Sequence, residues 1–189
     1  MKNRIEKGTS RTKAGDLKML KSLRQHGQLT EVDHLFLDDA KARQEVILVV
    51  CSDTPHLADK VLHQIELSHS VSLHSHDGGG CRLGMANPID YSALLNDLAK
   101  HVVHTVDALH KQAVIVLMGE YPCQWAQEGK FSPAEQVILL KTACQRMQEV
   151  IEQKLTEMKK VELVQQVKVY PFFYISWNQH KKRTYQLIQ

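Results

Sequence analysis

Aromatic residues fill only 6% of the 189 positions, and no stretch approaches the ~18 consecutive apolar residues that span a bilayer. No membrane partner is therefore expected. The basic N-terminal run Met1-Lys2-Asn3-Arg4 continues into Gly8-Thr9-Ser10 and not into an apolar core, so it does not read as a secretory signal. Cysteine is sparse too. Cys51, Cys81, Cys123 and Cys144 are widely spaced in a chain with no export signal, a pattern expected of reduced thiols in the cytoplasm and not of a disulfide framework. Charge of one sign is also lacking: 24 Lys+Arg against 21 Asp+Glu leave +3, far short of the concentrated basic stripe that nucleic acid demands. No Gly-x-Ser-x-Gly elbow, Walker pattern, internal repeat or low-complexity tract occurs. A chain this long buries about two-thirds of its unfolded surface, so it needs no metal merely to fold.

Histidine is the surplus. Of 11, eight (His56, His63, His69, His74, His76, His101, His104 and His110) lie between Cys51 and Cys123. The organisation around them is an α/β alternation in a single domain. Residues 1–13 read as a flexible basic tail. Residues 14–44 read as a helical N-terminal extension, with Gly27 between two short helices that carry Leu17, Leu20, Leu23 and then Val32, Leu35, Leu37. From residue 45 the core begins. Val46 to Val50 is a buried-strand run, and helical spacing follows from His56 to Glu66. Val71-Ser72-Leu73 starts a short strand, and His74 to Cys81 reads as a glycine-rich loop. An amphipathic helix is expected over about Asp90 to His110, then a buried strand over Ala113 to Met118. Ser132-Pro133-Ala134-Glu135 is a capping box opening a long helix. Val167 to Ile175 reads as a strand in which Pro171 argues for an edge position or a bulge, and Thr184 to Ile188 as its hairpin partner. Right-handed crossovers make the main strands parallel, giving a mostly parallel sheet flanked by helices.

Ligands of open α/β sheets bind beyond the carboxyl ends of the strands. Two strands end there with a thiol and an acid: Cys51 with Asp53, and Glu120 with Cys123. Thiolate, imidazole and carboxylate are the donors zinc prefers, and catalytic zinc keeps three protein ligands and one open position.

Val49-Val50-Cys51-Ser52-Asp53-Thr54 resembles the first signature of the β-class carbonic anhydrases, Cys-x-Asp-Ser-Arg after a buried strand. Val114 to Met118 followed by Gly119-Glu120-Tyr121-Pro122-Cys123 resembles the second, strand-Gly-His-x-x-Cys. The resemblance covers mainly residues 46–126. It implies an α/β fold that dimerises, zinc on two cysteines and a histidine, and zinc-bound hydroxide attacking carbon dioxide. It also implies that Asp53, from the first signature, controls the fourth zinc position. Glu120 stands at the family's histidine position and Pro55 at its arginine position. The expected metal set is thus Cys51 and Cys123, completed by Glu120, Asp53 or a loop histidine, His76 or His74. Carbon dioxide and bicarbonate, or a small anion, are the implied partners.

Two other readings stay open. Gly78, Gly79 and Gly80 can turn their backbone N–H groups toward an anion, which suits a non-catalytic metal- or anion-binding protein of this fold. Cys81 beside His76 and His74 suits the nucleophile of a cysteine hydrolase. His101, His104 and His110 read as surface groups on the amphipathic helix, and Cys144 as core.

Overall fold

The computed structural model describes residues 13–32, 44–52, 70–177 and 181–187. In chain order the elements are α1 (Ala14–Gln25), β1 (Leu29–Val32), β2 (Gln44–Cys51), β3 (Ser70–His76), α2 (Ser92–Asp107), β4 (Gln112–Tyr121), α3 (Gln124–Glu128), α4 (Pro133–Glu157), β5 (Val167–Ser176) and β6 (Lys182–Leu187). Single 3-10 segments fall at Gly79–Gly84, Pro88–Asp90 and Val161–Gln166.

The two continuous apolar runs form the middle of the sheet, because β-branched side chains fill both faces of a pleated strand and leave neither for water. Every residue of β2 is buried, and all of β4 except Gln112. Six strands run in the order β1-β6-β5-β4-β2-β3. β3, β2, β4 and β5 are mutually parallel, and β6 and β1 close one side antiparallel. Ile47, Val49, Ile115, Leu117 and Phe173 face one way and pack with Leu20 of α1, Leu98 and Val102 of α2, and Leu140, Met147 and Ile151 of α4. Val46, Leu48, Val50, Val114, Val116, Met118 and Phe172 alternate to the opposite face. The architecture is the expected α/β one, with a mostly parallel sheet and helices against it. No described helix is long and apolar enough to cross a membrane.

α4 begins where its sequence signals agree. Ser132 Oγ accepts from the Glu135 amide at 3.3 Å, Glu135 Oε2 accepts from the Ser132 amide at 2.7 Å, and Pro133 occupies the first turn. The helix then holds the neighbouring loop. Arg146 Nη1 donates to the carbonyls of Leu83 and Met85 at 2.9 and 2.5 Å, and its guanidinium lies 4.2 Å from the Tyr91 ring centroid.

Three expectations need correction. Gly27 ends α1 at φ 71, but the chain then forms β1, paired with β6, where a second helix was predicted; the remainder of that predicted helix, like the one from His56 to Glu66, lies outside the described residues. His74, Ser75 and His76 belong to β3 and not to a loop, because β2 offers them a full parallel ladder from Glu45↔Ser70 to Cys51↔His76. Pro171 lies in an internal strand, and its missing N–H is tolerated because the described pairs with β6 start only at Phe172. The strand and hairpin partner near the C-terminus form as expected.

Candidate metal centre

β2 and β4 are adjacent and parallel, so their carboxyl ends finish at the same edge of the sheet. Cys51 is the last residue of β2, Glu120 stands next to last in β4, and Cys123 precedes the short helix α3 after a cis Tyr121–Pro122 peptide. One ligand atom from each of Cys51, Glu120 and Cys123 lies within 4.8 Å of the others. All three residues are buried, at 2%, 2% and 3% exposure.

The sulfurs of Cys51 and Cys123 are 3.7 Å apart. A disulfide would need about 2.04 Å. Two thiolates each about 2.3 Å from a tetrahedral zinc ion are separated by ~3.8 Å, close to the observed spacing. Burying a carboxylate costs several kcal/mol unless charge or hydrogen bonds compensate it, and two thiolates beside it would add repulsion that a divalent cation in their midst reverses. The donor set therefore fits zinc in both residue type and spacing.

Glycine packing brings the turn after β3 onto the backbone at the ends of β2 and β4. A Cβ on Gly79 (φ 52) would sit 2.7 Å from the Cys51 amide nitrogen and 2.7 Å from the Met118 carbonyl, and one on Gly78 (φ 79) would sit 2.6 Å from the Trp125 ring. Gly80 is equally tight against Leu117 at 2.9 Å. Trp125 itself stacks on Phe131 at 5.1 Å between centroids, beside the cluster of Cys51, Cys123 and Ala126. The loop expected to cradle an anion is thus buried, and its glycines let a 3-10 turn lie directly across the ends of β2 and β4.

No family model matches this chain, and no curated protein matches it. Solved structures do. A single-site mutant of the β-carbonic anhydrase CafD of the filamentous fungus Aspergillus fumigatus is 16% identical, with 86% of this chain and 99% of that chain covered and a TM-score of 0.47. The wild-type form of the same enzyme is 17% identical over 85% of this chain and 99% of that chain, with a TM-score of 0.44.

The other predicted site residues fare differently. Asp53 lies outside the described residues. His76 pairs in register with Cys51, and its carbonyl accepts from the Ser52 amide at 3.0 Å, yet its ring is not among the clustered donors. The Ser52 hydroxyl donates to Asp77, tying β2 to the turn after β3. His74 turns to α2 instead. Cys81 is fully interior, and its thiol donates to the Gln136 carbonyl at 3.6 Å. Burial, and then the nearby Cys123 and Glu120, push that thiol well above its ordinary pKa, the reverse of what a hydrolase nucleophile needs. Cys144 is core as expected, with burial pushing its pKa up to about 12.

Sequence reasoning missed a second polar group. Glu45 is 7% exposed and accepts hydrogen bonds from Ser72 Oγ at 2.8 Å, His101 Nε2 at 2.9 Å and Lys111 Nζ at 3.4 Å. Burial alone would raise the Glu45 pKa, but these three donors together hold it below the usual carboxylate value. The available signal was a charged residue directly before the apolar run Val46 to Val50.

Proposed function

We propose that Cys51, Glu120 and Cys123 hold a zinc ion and that the loaded chain hydrates carbon dioxide in the manner of a β-class carbonic anhydrase. The observation that carries this reading is the three-donor cluster at the ends of two adjacent parallel strands, on the residues that resemble the two signatures. Among the described residues the cluster offers three donors, the number that catalytic zinc takes from protein, whereas structural zinc takes four. Zinc bound there would supply a Lewis acid that brings the acidity of water near neutral pH. The chain's own residues fix the donors: the β2–β4 ladder sets the Cys51 to Glu120 separation, and the Gly79 backbone covers Cys51. Asp53 is proposed to govern the fourth position, and a homodimer is the proposed assembly.

Metal analysis of protein purified without added zinc tests the reading first. About one zinc per chain is expected, lost on Cys51→Ser; absence of stoichiometric metal in the unmodified chain ends it. Stopped-flow carbon dioxide hydration then follows, with turnover expected to track zinc content. A second reading, a non-catalytic metal- or anion-binding protein of this fold, is favoured by Glu120 at the imidazole position and Pro55 at the arginine position. A zinc-loaded chain without hydration selects it. Sedimentation reports the assembly, and a concentration-independent monomer would exclude the dimer.

A further inference from the structure

His74 on β3 and His101 on α2 face each other, although 27 residues separate them in sequence. His74 Nε2 lies 3.3 Å from His101 Nδ1, with ring centroids 5.5 Å apart and the ring planes inclined at 54°. The other nitrogen of His101, Nε2, lies 2.9 Å from Glu45 Oε1 and 3.5 Å from Ser72 Oγ. Lys111 Nζ takes the second Glu45 oxygen at 3.4 Å and also reaches Ser70 Oγ at 3.1 Å.

These contacts fix a tautomer. An ionised carboxylate only accepts, so Glu45 requires the proton of a neutral His101 to sit on Nε2. The lone pair of His101 then lies on Nδ1, directed at His74. A hydrogen bond from His74 can occupy it, but 3.3 Å is beyond the ~2.7–3.2 Å of a well-formed N–H donor contact. Two imidazole nitrogens each about 2.0–2.1 Å from a tetrahedral ion are separated by about 3.3 Å, and that is the spacing here. A carboxylate behind the ligating imidazole is the standard arrangement that orients such a ring and raises its basicity.

We propose that His74 and His101 form a second divalent-metal site, separate from the Cys51–Cys123 centre, with Glu45 orienting His101 from behind. The ion is of the borderline class that imidazole suits, Zn2+, Ni2+ or Cu2+, with water in the remaining positions. Both residues are partly exposed, the His101 side chain at 27%, which gives such an ion access from solvent. The proposal does not depend on carbonic anhydrase activity.

Calorimetric titration of the full chain with zinc, after the first equivalent is bound, tests it. A further equivalent is expected. His74→Gln should abolish it, and Glu45→Gln should weaken it about 10–100-fold, the usual cost of losing an orienting carboxylate, while the first equivalent stays bound in both. In the unmodified chain, nitrogen NMR should show the His74 Nε2 and His101 Nδ1 resonances moving with the second equivalent. No second equivalent, unchanged affinity in His74→Gln, or shifts confined to His104 and His110 would overturn the proposal.

Discussion

Cys51 Sγ and Cys123 Sγ come to 3.7 Å across 72 positions of sequence, and the β2–β4 parallel ladder is what brings them there. The contact depends on strand register, so a donor change at either residue should act on metal and leave the sheet intact. Cys123→Ser is expected to lower zinc content to well under half an equivalent with the far-ultraviolet circular dichroism preserved. Elemental analysis beside the spectrum checks both halves.

Glu120→His restores the imidazole that the second signature carries. If the proposed function holds, this variant should keep one zinc per chain and hydrate carbon dioxide faster than the unmodified protein. Glu120→Ala should lose at least tenfold in zinc affinity. Stopped-flow assay and competition against a chelating dye measure the two effects.

Cys81 should resist iodoacetamide at neutral pH in the native chain and react fully once the chain is unfolded. Its interior position and raised pKa both disfavour the thiolate. Peptide mass mapping before and after denaturation reads the result, and rapid native labelling at Cys81 would revive the nucleophile reading.

Gly84 packs under α4 so closely that a Cβ there would stand 2.0 Å from the Leu139 carbonyl oxygen. Backbone cannot step aside as a side-chain tip can. Gly84→Ala should therefore cost at least the ~1–3 kcal/mol typical of overpacking, seen as a melting temperature lowered by roughly 2–4 °C per kcal/mol for a chain of this size.

Glu45 sets part of the acid limb of stability. Its folded pKa lies below its ordinary value of 4.5, so the stabilisation is fully present above that value. It is lost as pH falls through the folded pKa, because the unfolded state takes up the proton first. Thermal melts from pH 6 down to pH 3 should fall less steeply for Glu45→Gln than for the unmodified chain.

The central strands and α4 were legible because local pattern and tertiary environment agree. β2 and β4 are apolar on both faces, and the capping box marks the start of α4. β1 was not legible: its four residues are a strand only because β6, more than 150 positions away, pairs with them. β3 reads short in sequence because His74-Ser75-His76 carries little strand propensity, and the ladder to β2 overrides that. In sequence the glycine run reads as conformational freedom, whereas in the fold it allows close approach to Cys51, Met118 and Trp125. That Cys51, Glu120 and Cys123 come together is legible from their places at or just beyond the ends of two adjacent strands. In sequence His101 reads as a surface group of the amphipathic helix, beside His104. The structure pairs it with His74 on another element, a contact that spacing along one helix cannot reveal.

The β2–β4 ladder also ties metal chemistry to the order of folding. Among the described strands only the β5–β6 hairpin joins neighbours close in sequence; the thiols meet across 72 positions, so the entropy of closing that loop opposes their contact until the sheet supports it. Before that closure Cys51 and Cys123 are separate thiols, too far apart to share the proposed ion. Zinc added during refolding should therefore be captured only as the sheet completes, so metal uptake serves as a clock for the final parallel pairing.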